Sequence, residues 1–230
     1  MTFAAPPRVH VMHVPGADHH RDAIVQKLRD EADACVHEDP DREGLMPTWL
    51  RALWCAREND KDLSWSVVLS DDAFPLRGWQ QHLERACLNS PAPVLGLTHF
   101  GSYGQRAVDR WAAYMTGPYL LWGGAIAFNR MFLEGLLPWV GVVYAKTKYP
   151  HDDVLTCAYA MKMGWRTANV AAAIFDQPVQ QSLLGHNTPI RRPATTIRNT
   201  QDVNYRRQPS SVAVTRTCSP KGELERLAAL

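Results

Sequence analysis

No stretch of this chain runs to about eighteen apolar residues, the length a membrane-spanning helix needs, so no span is expected. The opening MTFAAPPRVHVMHVPG has no basic start followed by an apolar core, and no secretory leader is expected from it. Cysteine is scattered: Cys35, Cys55, Cys87, Cys157 and Cys218 include no CxxC pair, which argues against a zinc site made of cysteines. An odd number of thiols without a leader fits a reduced, cytoplasmic protein. There are no internal repeats. The segment VPGADHH also lacks the glycine-rich, basic phosphate loop usual near the first strand of nucleotidyl-transfer enzymes.

What is present is an ordinary globular composition, 46% hydrophobic and 21% charged. At 230 residues the chain suits one domain with a real core, or one domain plus a tail. The net charge of +2 is unevenly spread: from Asn187 onward eight Lys/Arg face three Asp/Glu, whereas 17 face 20 before it. Residues 187–230, rich in Pro, Thr, Ser and Arg and poor in apolar periodicity, read as an extended basic tail behind a domain of residues 1–186. Such a tail suits a polyanion, nucleic acid above all, or an arm wrapped on its own acidic domain.

Strands and helices alternate along the first half. RVHVMHV reads as a strand, followed by a helix from His19 to about Ala34 that Asp18 can cap. His37 to Gly44 reads as irregular, and Pro47 opens a second helix, PTWLRALWCAREND. WSVVLS and Val94–Leu97 read as further strands on either side of the helix GWQQHLERACL. In the second half Tyr119–Trp122, Ala125–Phe128 and Arg166–Ile174 read as strands. RMFLEGLL reads as a short helix behind the cap Asn129, and VLTCAYAMKM as a helix ending at Gly164. The alternation implies an α/β sheet with largely parallel strands.

The apolar run Val67-Val68-Leu69 stops at Ser70-Asp71-Asp72. A buried strand would thus carry two adjacent carboxylates to the sheet edge where open α/β folds bind ligands. Adjacent carboxylates repel, so they need a cation or donors; a hard divalent ion on a substrate phosphate is the usual answer. The plain alternative is a turn, or a cap for the next helix by Asp72. Asp152 and Asp153, at the start of VLTCAYAMKM, have a similar plain reading as capping acids, worth about 0.5–2 kcal/mol. His19 and His20 are adjacent on a helix and read as exposed.

Several pieces stand in order: VHVMHVP with Asp18, TWLRALWCA before VVLSDDA, Gly123-Gly124 before a strand, Asp152-Asp153, and SLLGHN. Over about residues 8–187 this order resembles a nucleotide-sugar glycosyltransferase of the GT-A fold, in size like the small phage DNA-modifying type. The resemblance implies an α/β, Rossmann-like fold with a mixed, mostly parallel sheet flanked by helices. It implies a donor that is a nucleoside-diphosphate sugar, UDP-sugars first, and a Mn²⁺ or Mg²⁺ ion. The family's DxD frame falls on Ser70, Asp71 and Asp72, so its first acid is missing here. By that resemblance Asp72 and His186 are metal ligands, and Asp71 faces sugar or ribose. Pro15 and Asp18 would hold the nucleoside, Ser182 and Gly185 the diphosphate. Trp122, Gly123 and Gly124 would face donor sugar and acceptor. Asp153, or else Asp152, would be the base of an inverting transfer.

The acceptor is open: a saccharide, a lipid-linked sugar, a protein, or a hydroxymethylated base in DNA held by Arg191, Arg192, Arg198, Arg206, Arg207 and a stacking Tyr205. A nucleotidyltransferase and a non-catalytic nucleic-acid-binding module are the competing readings.

Overall fold

The computed structural model describes residues 5–98, 107, 112–121, 123–176, 211–213 and 221–230. The first half holds β1 (Arg8–His13), α1 (His19–Ala32), β2 (Cys35–Glu38), α2 (Leu45–Asn59), β3 (Trp65–Ser70), β4 (Phe74–Pro75), α3 (Trp79–Leu88) and β5 (Val94–Gly96). The second holds β6 (Tyr114–Gly117), β7 (Ala125–Asn129), α4 (Arg130–Thr147), α5 (Asp152–Lys162), β8 (Thr167–Val170), β9 (Phe175–Asp176), β10 (Ser211–Ala213) and α6 (Lys221–Ala228). Among these residues eight strands form one sheet in the order β10-β6-β8-β5-β7-β3-β1-β2, and β4 pairs with β9 apart from it. Parallel pairing joins β1 to β2 and β3, β5 to β8, and β10 to β6; β7 runs antiparallel to β3 and β5, and β6 to β8. This mixed α/β sheet flanked by helices is consistent with a Rossmann-like GT-A fold.

The period of two in β1 divides its side chains between two cores. Val9 and Val11 join the layer that receives Ile24, Val25 and Leu28 of α1 and Leu83 of α3. Met12 faces the opposite layer, with Trp49, Leu53 and Ala56 of α2 and the apolar stripes of α4 and α5. Thus α1 and α2 lie on opposite faces, and the chain changes direction between β1 and β3. Open α/β sheets bind ligands in the crevice at such a switch point, outside the carboxyl ends of the strands.

Several expectations shift. Cys35–Glu38 is a paired edge strand, so that His37 and Glu38, read as irregular, lie in a ladder on β1. Tyr119–Leu121 is not a strand; the ladder belongs to Tyr114–Gly117, which Pro118 follows. The short helix after Asn129 continues through Pro138 to Thr147. The missing N–H of proline costs a helix bond, but Phe132, Leu133, Leu136, Val140 and Val143 bury one stripe across it. The strand over 166–174 stops at Val170. Asp72 caps no helix: α3 begins at Trp79 behind Gly78 in the left-handed region, with β4 between. Segment 187–230 carries local structure, since β10 extends the sheet beside β6 and Leu224 and Leu227 of α6 are fully buried in the second core.

Candidate functional site

The carboxyl ends of β1 and β3 meet through Asp71. Its carboxylate accepts from Nδ1 of His13 at 3.0 Å and from the Val14 amide at 3.1 Å, and pairs with the Arg21 guanidinium. Arg21 also lies 3.6 Å from Asp72. All of these side chains are buried, Arg21 at 5% exposure. The position of Arg21 follows from α1: with Ile24, Val25 and Leu28 it occupies the core-facing stripe, so its charge must find partners inside. It meets the two aspartates, whose mutual repulsion it offsets. Asp22 adds a contact of 3.2 Å to Nε2 of His13.

Ser70 ties this corner to the glycine pair. Its amide donates to the Gly124 carbonyl at 2.9 Å, and its hydroxyl lies 2.6 Å from Asp72 Oδ1 and 3.0 Å from the same carbonyl. On its other side the glycine pair meets the start of α5. A Cβ at Gly123 would stand 2.9 Å from Asp153 Cβ and 3.2 Å from Asp152 Oδ1, so only glycine lets the two segments approach this closely. The approach is held from below by Asn169. Its amide donates to the Tyr119 carbonyl at 3.1 Å and accepts from the Leu121 amide at 2.9 Å. Gly96 leaves the room for Asn169.

Asp152 and Asp153 open α5. Asp152 Oδ1 accepts from the Asp153 amide at 2.9 Å, and Asp153 Oδ1 from the Val154 amide at 2.8 Å. Both carboxyl groups are held above the usual range, chiefly by burial; the Asp153 charge raises Asp152 further. Asp152 is buried while Asp153 is partly open to solvent. Two carboxyl groups in unlike settings beside the Gly123-Gly124 turn are an arrangement general acid–base chemistry can use.

The resemblance implies a hard divalent cation; among the described residues Asp72 belongs to no cluster of three or more side-chain ligands. Asp71 is occupied by His13, Val14 and Arg21, and Arg21 already brings positive charge to Asp72. His186, Ser182, Gly185 and Trp122 lie outside the described residues. Pro15 sits exposed in the turn after β1, and Asp18 accepts from the His20 amide at 2.8 Å as the α1 cap.

The sites named from sequence thus fall into one neighbourhood as far as Asp71, Asp72, Gly123, Gly124, Asp152 and Asp153 are concerned. Arg21, His13 and Asn169 were not among them. A signal for Arg21 existed: an arginine in the apolar stripe 21, 24, 25, 28 requires a buried anion.

No family model matches the chain, and no curated protein does. Solved structures similar to it include the protein A197 from STIV, with 17% identity, TM-score 0.46, and coverage of 92% of this chain and 100% of that one. Another is a glycosyltransferase involved in the glycosylation of the major capsid of PBCV-1, with 12% identity, TM-score 0.35, and coverage of 64% of this chain and 71% of that one. Neither likeness is close enough to say what this chain does.

Proposed function

We propose that the chain is a glycosyltransferase that takes its sugar from a nucleoside-diphosphate donor, with UDP-sugars as the donor class to test first. One observation carries the reading. The switch-point corner of Asp71 and Asp72, the Gly123-Gly124 turn and the carboxyl pair that opens α5 adjoin one another through Ser70 and Gly123.

In this reading Asp153 takes the proton of an acceptor hydroxyl as its oxygen attacks the anomeric carbon. The bond from that carbon to the diphosphate oxygen breaks, and the nucleoside diphosphate leaves with the electron pair. Asp152, buried behind it, positions the Asp153 backbone through its 2.9 Å hydrogen bond. Asp72 faces the donor from the floor of the crevice, and Pro15 borders the nucleoside. Trp122, Ser182, Gly185 and His186 are proposed donor contacts. Mn²⁺ or Mg²⁺ enters as a variable of the test, and no step above passes through it.

The test is a thermal-shift panel of nucleoside diphosphates and nucleotide-sugars, each with and without Mn²⁺. A ligand that binds only the folded chain raises the melting temperature. The proposal expects a rise with one nucleoside-diphosphate family that is lost in Asp72→Ala. Acceptors are then tried in parallel: saccharides, protein, and hydroxymethylated DNA, for which the basic segment is the reason. No rise with any diphosphate overturns the reading. A rise with nucleoside triphosphates alone points to nucleotidyl transfer instead.

A further inference from the structure

Four soft ligands converge at the opposite edge of the switch, on the α2 side of the sheet. His10 on β1 and Cys35 on β2 are directly opposed in the ladder, and His37 follows two residues on. The period of two therefore puts all three on one face. That face meets Cys55 on α2. Nδ1 of His10 lies 3.1 Å from Nε2 of His37, and Sγ of Cys35 lies 3.7 Å from Sγ of Cys55. One ligand atom from each of the four residues lies within 4.8 Å of the other three.

These separations match a tetrahedron around a metal. Zinc–sulfur bonds of about 2.3 Å and zinc–nitrogen bonds of about 2.0–2.1 Å put two thiolates roughly 3.8 Å apart and two imidazoles roughly 3.4 Å apart. A disulfide requires a sulfur separation of about 2.05 Å and is not what the pair has formed.

A second observation points the same way. Nε2 of His10 meets Asp60 Oδ2 at 2.8 Å, and Ser66 donates to the same oxygen at 2.7 Å. Asp60 thus keeps the His10 proton on Nε2 and turns the Nδ1 lone pair toward the cluster. A carboxylate behind a histidine is the usual outer support of a metal-bound imidazole. Asn59 plays a like part for sulfur, donating to Cys55 Sγ at 3.0 Å. His10 is fully buried, whereas Cys35, His37 and Cys55 are partly exposed and leave a route in from solvent.

We infer that His10, Cys35, His37 and Cys55 form a Cys₂His₂ site for Zn²⁺, which staples the edge strand β2 to β1 and α2. Soft thiolates and imidazoles select zinc over the hard cations Mg²⁺ and Mn²⁺. The metal takes the place of the proton between the two imidazoles, which moves to Nδ1 of His37, and the two thiols release their protons to solvent as they bind as thiolates. All four ligands are then used, so the site is structural. The expectation against a cysteine zinc site rested on CxxC spacing alone. Here the ligands come from two strands and a helix, and only the ladder register reveals them.

The test uses the full chain, reduced and stripped with a chelator, then titrated with Co²⁺ and Zn²⁺. The expected result is one equivalent of Co²⁺ with the visible bands of tetrahedral geometry and a thiolate charge-transfer band, displaced by one equivalent of Zn²⁺. Mg²⁺ should displace neither. The charge-transfer band should vanish in the double variant Cys35→Ser, Cys55→Ser. Asp60→Asn, which keeps every ligand, should weaken zinc affinity by about 10–100-fold. The wild-type spectrum keeps the test valid if the cysteine variants fail to fold. Absence of the thiolate band in the reduced wild-type chain overturns the assignment.

Discussion

The buried guanidinium of Arg21 pairs with the carboxylate of Asp71, joining the first turns of α1 to the end of β3. With Asp72 at 3.6 Å it forms the charged floor of the proposed donor crevice. Removing one partner of a buried ion pair leaves an uncompensated charge, which typically costs about 3–5 kcal/mol. Arg21→Met should therefore lower stability by that order in denaturant unfolding. The double variant Arg21→Met, Asp71→Asn should recover much of the loss, and equal losses in both variants would contradict the pairing.

Asp153→Asn should lower sugar transfer by about 10²–10⁴-fold, the range of a lost general base, with donor binding retained. Steady-state rates and donor affinity measured on the same preparation separate the two effects. A variant that transfers sugar at the wild-type rate would remove Asp153 from the mechanism.

Asp152 gives a pH signature that does not depend on substrate. Burial and the Asp153 charge raise its pKa from 3.8 to about 8. The unfolded chain releases this proton first, so between those values the folded state binds more protons and loses stability as pH rises. Asp152→Asn keeps the acceptor oxygen for the Asp153 amide but cannot ionise. Its stability relative to wild type should grow steadily as the pH rises from 4 to 8. A difference that stays constant with pH would contradict the assigned shift.

Gly123→Ala places a methyl group 2.9 Å from Asp153 Cβ, against backbone-anchored atoms of α5. Overpacking of this kind costs about 1–3 kcal/mol. The expected result is a lower melting temperature together with weakened transfer. Unchanged stability would mean that the turn and the helix start are not in contact.

Several helices and central strands were legible because each signal there is local. Asp18 and Asn129 cap the helices they precede, and Gly164 adopts the positive φ of a helix end. Apolar runs with polar ends located β3, β5 and β7. What escaped depends on pairing across the sheet. Cys35–Glu38 looks irregular until β1 lies beside it, and Asn169 matters only through Tyr119 and Leu121, fifty and forty-eight residues away in sequence. In the site, the acidic pairs and the glycines were visible as sequence features. The pairing of Arg21 with one of them was not, because sequence identifies an unmet charge without naming its partner. The C-terminal segment followed the same rule: its basic composition conceals the two leucines of α6 that bury against the second core.

The most direct measurement of the central claim is release of nucleoside diphosphate from a panel of nucleotide-sugars, by wild type and by Asp153→Asn. The account predicts release from one donor family, stimulated by an acceptor hydroxyl, with the variant reduced by about two orders of magnitude or more. No release from any donor, or equal release by both proteins, would contradict it.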